Sequence, residues 1–235
     1  MKIYRAVRTN NLTQPFGYNF ACAKVDAQGR AYRPFQIKTG TADTCPTGYA
    51  KFYPLIELRA HNGDDWKLYR GEPIYFNVEA PTTWYSREAS DTDGGLGIDV
   101  FSKDPIYFEQ LPIQAGPQAR AYWQNHNKMI RVKFRYWHLK QTWKDVDVHF
   151  GELIGYGNST GASSGDHAHT AMKFVDENDE TFDKNNGYAG AVDSSVHFEN
   201  EFVLDKLKVR EQQKTVIQQL QVLIMLLTLY LRQRS

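Results

Sequence analysis

Histidines and an aspartate occur at three places in the chain where their spacing suits metal chemistry. The first place is His61-Asn62-Gly63-Asp64-Asp65, in which a turn at Gly63 can bring His61 and Asp65 toward one point. Zn²⁺ accepts imidazole nitrogen and carboxylate oxygen as ligands at about 2.0–2.2 Å. Taken alone, a His-x-Gly-x-Asp string is more often a turn with solvated polar side chains, so this segment needs the support of others.

The second place is Gly165-Asp166-His167-Ala168-His169, which follows a glycine-rich stretch at 155–164. Residues two apart in an extended strand face the same side, so His167 and His169 would project into one groove. One histidine could bind a metal while its neighbour moves protons. An isolated His-x-His is nevertheless more often a pair of surface histidines on an exposed strand.

The third place is His138, within Phe134-Arg135-Tyr136-Trp137-His138-Leu139. The aromatic neighbours could hold the imidazole ring in a defined orientation. A lone histidine in such surroundings is more often a packed structural residue than a catalyst.

The elements that must position these residues are mostly short β-prone runs, which dominate residues 1–200 and are separated by Gly, Pro, Asn and Asp. The clearest runs lie at 73–80, 95–102, 129–139 and 169–175. This pattern predicts a mainly β, antiparallel domain. The segments 20–50, 81–94 and 103–127 are predicted as long loops or insertions.

The last part of the chain has a different character. Residues 203–234 lack Gly and Pro and are rich in helix formers, which predicts a separate amphipathic helix. Its apolar residues follow the 3-4-3-4 spacing of a short coiled-coil seam, namely Ile217, Leu220, Ile224, Leu227 and Leu231. We expect self-association through this helix. Packing back on the body and partial membrane insertion are alternatives, although the apolar stretch 222–231 is half of the ~20 residues a membrane span needs.

Composition and charge exclude other classes of protein. The 28 Lys and Arg residues are balanced by 27 Asp and Glu, and a net charge of +1 lacks the cationic excess of a nucleic-acid binder. No apolar run typical of a signal peptide is visible at the N-terminus. Cys22 and Cys45 are the two cysteines and do not make a zinc cluster. Two buried thiols and one disulfide both stay open for them.

Together the motifs resemble, in order and spacing, the lysostaphin-like peptidoglycan metalloendopeptidases. The resemblance spans roughly residues 13–175 and is carried by TQPFG at 13–17, His61-x-Gly-x-Asp65, GEPIY at 71–75, YWHL at 136–139, GELIG at 151–155, STG at 159–161 and His167-Ala168-His169. It implies an antiparallel β-sheet, groove-bearing peptidase domain over 1–200. Loops are inserted at about 18–60 and 103–127, and the C-terminal helix occupies 201–235.

The resemblance also implies a role for each chemical residue. His61, Asp65 and His169 match the family's zinc ligands, with one Zn²⁺ per chain, and His138 and His167 match its two catalytic histidines. The flanking residues differ from the family pattern, because Asp166, Ala168 and Thr170 stand where it usually has Pro, Leu and an aromatic residue.

The function that these matches imply is zinc-dependent hydrolysis of peptide bonds in the stem peptide or cross-bridge of bacterial peptidoglycan. Such an enzyme would act at the bacterial cell wall, outside the cell, in the periplasm or on a virion. The absence of a visible export signal and the self-associating helix fit a phage-encoded lysin, and a domain taken from a longer secreted protein fits equally. The alternatives are a non-catalytic wall-binding or structural virion module on the same fold and, ranked lower, hydrolysis of a non-wall peptide.

Overall fold

The structure is a computed structural model that describes residues 1–17, 58, 61–92, 94–142, 146–161, 163 and 165–232, with side chains of the last helix described to Met225. Cys22, Cys45 and most of the expected insertion at 18–60 lie outside the described residues, so their predictions stay untested.

The described chain is mainly β, with antiparallel sheets and a C-terminal helix, as the sequence predicts. Its strands are β1 (Lys2–Arg5), β2 (Leu12–Gln14), β3 (Asp64–Lys67), β4 (Pro73–Tyr75), β5 (Val78–Glu79), β6 (Trp84–Asp91), β7 (Gly95–Ser102), β8 (Ile106–Tyr107), β9 (Met129–Trp137), β10 (Leu139–Thr142), β11 (Asp147–Val148), β12 (Leu153–Gly157), β13 (His167–Val175), β14 (Ala191–Val192) and β15 (Phe198–Phe202). Its α-helices are α1 (Pro117–Asn125) and α2 (Val203–Arg232), and a 3₁₀ turn spans Ser195–His197.

The largest sheet has nine strands, and three of the predicted chemical residues, Asp65, His167 and His169, lie on them. Its order is β11-β6-β7-β9-β13-β3-β2, with β8 paired to β9 and β14 paired to β13. Two three-stranded sheets, β15-β1-β5 and β10-β12-β4, complete the described body. Strand β13 lies between β9 and β3 and pairs antiparallel with both, so three stretches distant in sequence meet in the middle of the large sheet.

The hydrophobic core lies on one face of the nine-stranded sheet. A continuous cluster of buried apolar side chains joins this sheet to both small sheets, with members such as Ile98, Val132, Phe134, Phe174, Ile3, Val78, Ile74, Leu139 and Ile154. The alternation of residues along β9 illustrates this arrangement. Every second residue enters the core, namely Ile130, Val132, Phe134 and Tyr136. The residues between them face the opposite side of the sheet, and this opposite face is called the groove face below.

Two predicted loop segments contain regular structure. The segment 81–94 was expected to be a loop, and this expectation is wrong because β6 occupies Trp84–Asp91. Its core-facing residues after Trp84 are Ser86, Glu88 and Ser90, none of them apolar, so the alternation is weak in the sequence. Pairing along the whole of β7 outweighs that weak local signal. The segment 103–127 contains β8 and α1 rather than loop alone.

Helix α2 contacts the body through its first turns. Val203 is fully buried, Leu207 lies against Gly151, and Arg210 pairs with Glu79 at 2.5 Å. Every residue at 211–225 is exposed, so this part of the helix does not pack back on the body. Among the described residues, no helix combines the length and the apolar character that crossing a membrane requires.

Candidate metal centre and active site

Strand pairing places two of the predicted zinc ligands side by side. His169 on β13 lies directly opposite Asp65 on β3, and opposite Trp137 on β9 at its other edge. Directly paired residues of an antiparallel sheet point to the same face, with Cβ atoms about 4.5–5.5 Å apart. Asp65 and His169 therefore reach the groove face together.

His61 completes a compact cluster just ahead of β3. Its Nε2 lies 3.2 Å from Oδ1 of Asp65 and 3.1 Å from Nδ1 of His169, and the last two atoms are 3.0 Å apart. All three residues are buried, and their ligand atoms form the group that could hold a metal ion. A tetrahedral zinc with bonds of about 2.0–2.1 Å separates its ligand atoms by roughly 3.3 Å. The three donors are thus spaced as one zinc ion requires.

Gly63 has a steric role that differs from the predicted turn. A Cβ atom added at Gly63 would lie 2.6 Å from Nε2 of His169 and would also press on the carbonyl oxygen of Thr170. Real Cβ atoms do not approach other atoms so closely, and the backbone oxygen cannot swing aside. The glycine in His-x-Gly-x-Asp therefore makes room for the ring of the third predicted ligand.

We predict that Gly63→Ala weakens zinc binding by about 10–100-fold, the size of effect seen when the surroundings of a metal ligand are disturbed. The added methyl group must displace the ring of His169. Zinc titration of the metal-stripped protein measures the change. Gly165→Ala is the matched control, since a Cβ there meets nothing within 4 Å. Equal affinity in both variants would contradict the steric role.

The two predicted catalytic histidines lie beside this cluster. The ring centres of His138 and His167 are 4.4 Å apart, and the ring centre of His138 lies 6.0 Å from that of His169. Nε2 of His167 is 3.5 Å from Oδ1 of Asp65. All five residues singled out in the sequence therefore meet in one place on the groove face.

Backbone carbonyls orient both of these rings. Nδ1 of His138 lies 2.6 Å from the carbonyl oxygen of Thr160, and Nδ1 of His167 lies 2.7 Å from that of Gly165. A carbonyl oxygen only accepts hydrogen bonds, so Nδ1 carries the proton in each ring. The other nitrogen, Nε2, is then left to accept or donate a proton at the site. Sequence reasoning missed both contacts because every residue has a backbone carbonyl, and residue type does not indicate which carbonyl will orient a ring.

His138 adopts a backbone conformation that is unusual for a residue with a side chain. It has φ of 64° and stands between the end of β9 and the start of β10. Tyr136 and Leu139 point into the core, whereas both Trp137 and His138 lie on the groove side. A regular strand would turn His138 toward the core, so the left-handed conformation is what brings its ring to the site, at a cost of about 1 kcal/mol.

The electrostatics of the cluster suit metal binding. Burial alone would raise the pKa of Asp65, but His61 and His169 hold it well below its usual 3.8. Burial lowers the pKa of His169 to about 4. Burial, followed by the charge of His167, also lowers the pKa of His138. At neutral pH, Asp65 is therefore ionised and His169 neutral, the forms in which these groups ligate metals.

Further contacts support the site from outside. Nδ1 of His61 lies 3.4 Å from the carbonyl oxygen of Pro15, within the TQPFG motif. Metal-binding histidines commonly use their second nitrogen in this way. Asp166, which departs from the family pattern, pairs with Arg70 at 3.1 Å rather than with a histidine. The first of these contacts gives the TQPFG motif a physical role at the site.

Comparison with known proteins yields structural neighbours only. No protein-family profile matches the chain, and no curated protein matches it. Among solved structures, it is similar to the catalytic domain of the antimicrobial peptidase lysostaphin from Staphylococcus simulans, with 20% identity over 58% of this chain and 77% of that chain and a TM-score of 0.36. It is also similar to a zinc-containing peptidase from Vibrio cholerae, with 16% identity over 79% of this chain and 40% of that one and a TM-score of 0.38.

A third similar structure is the catalytic domain of a mutant of the prophage-encoded M23 protein EnpA from Enterococcus faecalis. The identity is 17% over 52% of this chain and 74% of that chain, with a TM-score of 0.31. The neighbours thus include lysostaphin and M23 peptidase catalytic domains. At these identities and TM-scores they carry no functional argument, which rests instead on the side chains of the site.

Proposed function

We propose that this chain is a zinc-dependent endopeptidase that hydrolyses peptide bonds of bacterial peptidoglycan. The observation that carries the proposal is the meeting of His61, Asp65 and His169 with His138 and His167 on one face of the large sheet. These are the five residues whose types and order resemble the family's chemical set. A metal-binding group beside two oriented imidazoles suits hydrolysis better than simple binding.

The residues that would hold zinc are His61, Asp65 and His169. Two imidazoles and one carboxylate are a normal zinc donor set, and three protein ligands are typical of catalytic rather than closed structural sites. When bound, zinc supplies a Lewis acid that polarises a carbonyl and lowers the pKa of water. We propose one zinc ion per chain.

His138 and His167 would handle the protons of the reaction. Each presents Nε2 to the site because its Nδ1 is held by a backbone carbonyl. One imidazole can take a proton from the attacking water and the other can deliver one to the leaving amine. Either ring, when it carries a proton on Nε2, can also stabilise the tetrahedral oxyanion.

Peptidoglycan is proposed as the substrate on the strength of the motif resemblance, which covers the β body from TQPFG at 13–17 to the His-x-His motif. The place of action is then the bacterial cell wall, for an enzyme that is either bacterial or phage-encoded. The main rival is a wall-binding module that does not cut.

The test is loss of turbidity of purified peptidoglycan, one preparation with glycine cross-bridges and one with direct cross-links. We expect lysis of at least one, its loss on treatment with a chelator, and its return when zinc is restored. The result also identifies the class of bond that is cut. His149→Ala is a suitable control protein, because His149 is exposed and pairs with Glu152 away from the site.

Two outcomes would count against the proposal. Lysis that persists in chelator would exclude a metallopeptidase. Binding of zinc and of peptidoglycan without lysis of either preparation would favour the binding module.

We also propose that α2 joins copies of this chain. Its seam residues Ile217, Leu220 and Ile224 are each more than half exposed, and a single copy leaves these side chains in water. Their 3-4 spacing suits a partner helix of the same kind. Two and a half heptads make a short seam, so the assembly is expected to depend on concentration.

Truncation after Arg210 should therefore lower the mass of the particle in solution. This boundary keeps the turns of α2 that contact the body and removes the exposed part. Light scattering after size exclusion measures the mass, and the double substitution Ile217→Gln with Leu220→Gln should act in the same way. Gln212→Ala with Gln218→Ala is the control on the same helix. An unchanged number of copies in the truncated and doubly substituted proteins would refute the proposal.

A further inference from the structure

The groove face carries a buried cluster of cationic side chains next to the candidate metal centre. Arg135 precedes Trp137 by two residues on β9, and Trp137 is the direct neighbour of His169 on β13. Two strand residues cover about 7 Å, so the Cα atom of Arg135 lies about that far along the strand from that of Trp137, which is the length of about two residues of an extended peptide. Ala171, its partner on β13, offers no polar group of its own.

Arg135 is held rigidly. Its Nε and Nη2 each donate to Asp99 at 2.6 Å, and its guanidinium carbon lies 4.7 Å from the ring centre of Trp137. The ring in turn lies against Gly94 and Gly97, where added Cβ atoms would collide with it. Such a fixed guanidinium loses little entropy when it binds a ligand.

One end of this guanidinium stays available. Among the described residues, Nη1 of Arg135 has no hydrogen-bond partner. The side chain of Arg135 is 21% exposed, whereas that of Asp99 is 8% exposed. Arg135 is therefore more exposed than the carboxylate that pairs with it.

Two lysines add to the positive charge. Nζ of Lys133 lies 3.3 Å from Oδ2 of Asp99, the same carboxylate that binds Arg135. Nζ of Lys173 donates to the carbonyl oxygen of Ala189 at 2.8 Å. Among the described residues, Arg135 and Lys133 thus pair directly with Asp99, and Lys173 adds a third buried basic group opposite Lys133.

The ionisation of Lys173 depends on its charged neighbours. Burial, followed by the charges of Arg135 and Lys133, lowers the pKa of Lys173 to about 7. The more distant carboxylate of Asp91 acts on Arg135 and Lys173 in the opposite sense. A structural ion cluster that satisfied itself would balance its charges, since unpaired buried charge is costly. An anion arriving from the groove would supply the missing partner.

We propose that Arg135, backed by Lys133 and Lys173, forms a carboxylate-binding subsite on the groove floor and directs the enzyme to acidic peptides. Arginine binds carboxylates in a planar fork, and such charge-assisted hydrogen bonds are stronger than neutral ones. Glycine cross-bridges carry no side-chain carboxylate, whereas acidic stem peptides do. The inference rests on the proposed peptidase function and names the substrate class within it.

The experiment compares two synthetic stem-type peptides that differ in one group, a free carboxylate one or two residues from the scissile bond or its carboxamide. We expect the zinc-loaded wild-type chain to prefer the carboxylate form by about tenfold or more in kcat/KM, the range of a charge-assisted hydrogen bond. Arg135→Gln should reduce this preference to nearly one. Lys128→Gln, which removes the same charge from an exposed site paired with Glu109, should retain it.

Binding of the same two peptides to chelator-treated protein, measured by calorimetry, separates recognition from hydrolysis. A binding preference for the carboxylate form that depends on Arg135, without hydrolysis of either peptide after zinc is restored, would support the subsite and contradict the proposed peptidase function. Hydrolysis of both forms at equal efficiency by wild-type protein would overturn the subsite and leave the peptidase standing. The hydrolysis of the two peptides by wild-type protein is compared without any variant. Failure of Arg135→Gln to fold therefore does not affect that comparison.

Discussion

Replacing His61, Asp65 or His169 by alanine is expected to remove zinc and peptidase activity together. Each residue supplies one of three donor atoms that lie 3.0–3.2 Å from one another. Even indirect disturbance of a zinc site costs about 10–100-fold in affinity, and loss of a ligand should exceed that. Metal analysis of the purified protein and wall-lysis assays on the same samples measure both effects.

The adjacent aspartates provide a matched control for this prediction. Asp65→Asn keeps the size of the side chain but removes its charge at the centre of the cluster. Asp64 points to the other face of β3, where its carboxylate accepts a hydrogen bond from the backbone N–H of Phe16 at 2.8 Å. Asp64→Asn can preserve that hydrogen bond and should keep zinc. The assignment fails if Asp64→Asn loses the metal while Asp65→Asn retains it.

Alanine at His138 or His167 should leave zinc bound and reduce turnover by about 10²–10⁴-fold, the usual contribution of a proton-transferring side chain. Neither ring is needed for the three-donor group. The critical case is His167, because its Nε2 lies 3.5 Å from Oδ1 of Asp65. If His167→Ala lost zinc while His61→Ala kept it, the roles of these two histidines would have to be exchanged.

Glutamine at the same two positions distinguishes what each ring does. A glutamine side chain can donate a hydrogen bond but cannot exchange a proton at neutral pH. Recovery of activity by His138→Gln relative to His138→Ala would assign His138 to stabilising the oxyanion. Equal loss in both variants would assign it to proton transfer. The same pair of variants at His167 completes the comparison, with zinc content measured in every sample.

The residues of the candidate site were predictable because its chemistry depends on side-chain types, which the sequence gives directly. His61, Asp65, His138, His167 and His169 stand in motifs whose order resembles one family, and the structure brings all five together. The strands that carry them were also visible, since β9 and β13 alternate clearly between apolar and other residues. Their roles as ligands and catalysts stay predictions until the variants above are measured.

Other features arise only when the chain folds. Strand β6 has a weak pattern and exists through its pairing with β7. The carbonyls of Thr160 and Gly165 orient two imidazoles without any side-chain signature. The positive charge near Arg135 is spread over strands that are distant in sequence. Long-range pairing decides each of these, and local residue patterns do not encode it.

The backbone of His138 has a consequence for the evolution of this protein. Glycine relieves the strain of a left-handed residue, so a population selected for thermal stability alone would drift toward glycine at 138 and lose the imidazole. Glycine at this position would remove the imidazole that the proposed chemistry requires. A thermostabilised variant of this chain should therefore be screened for activity at every round, with position 138 held fixed.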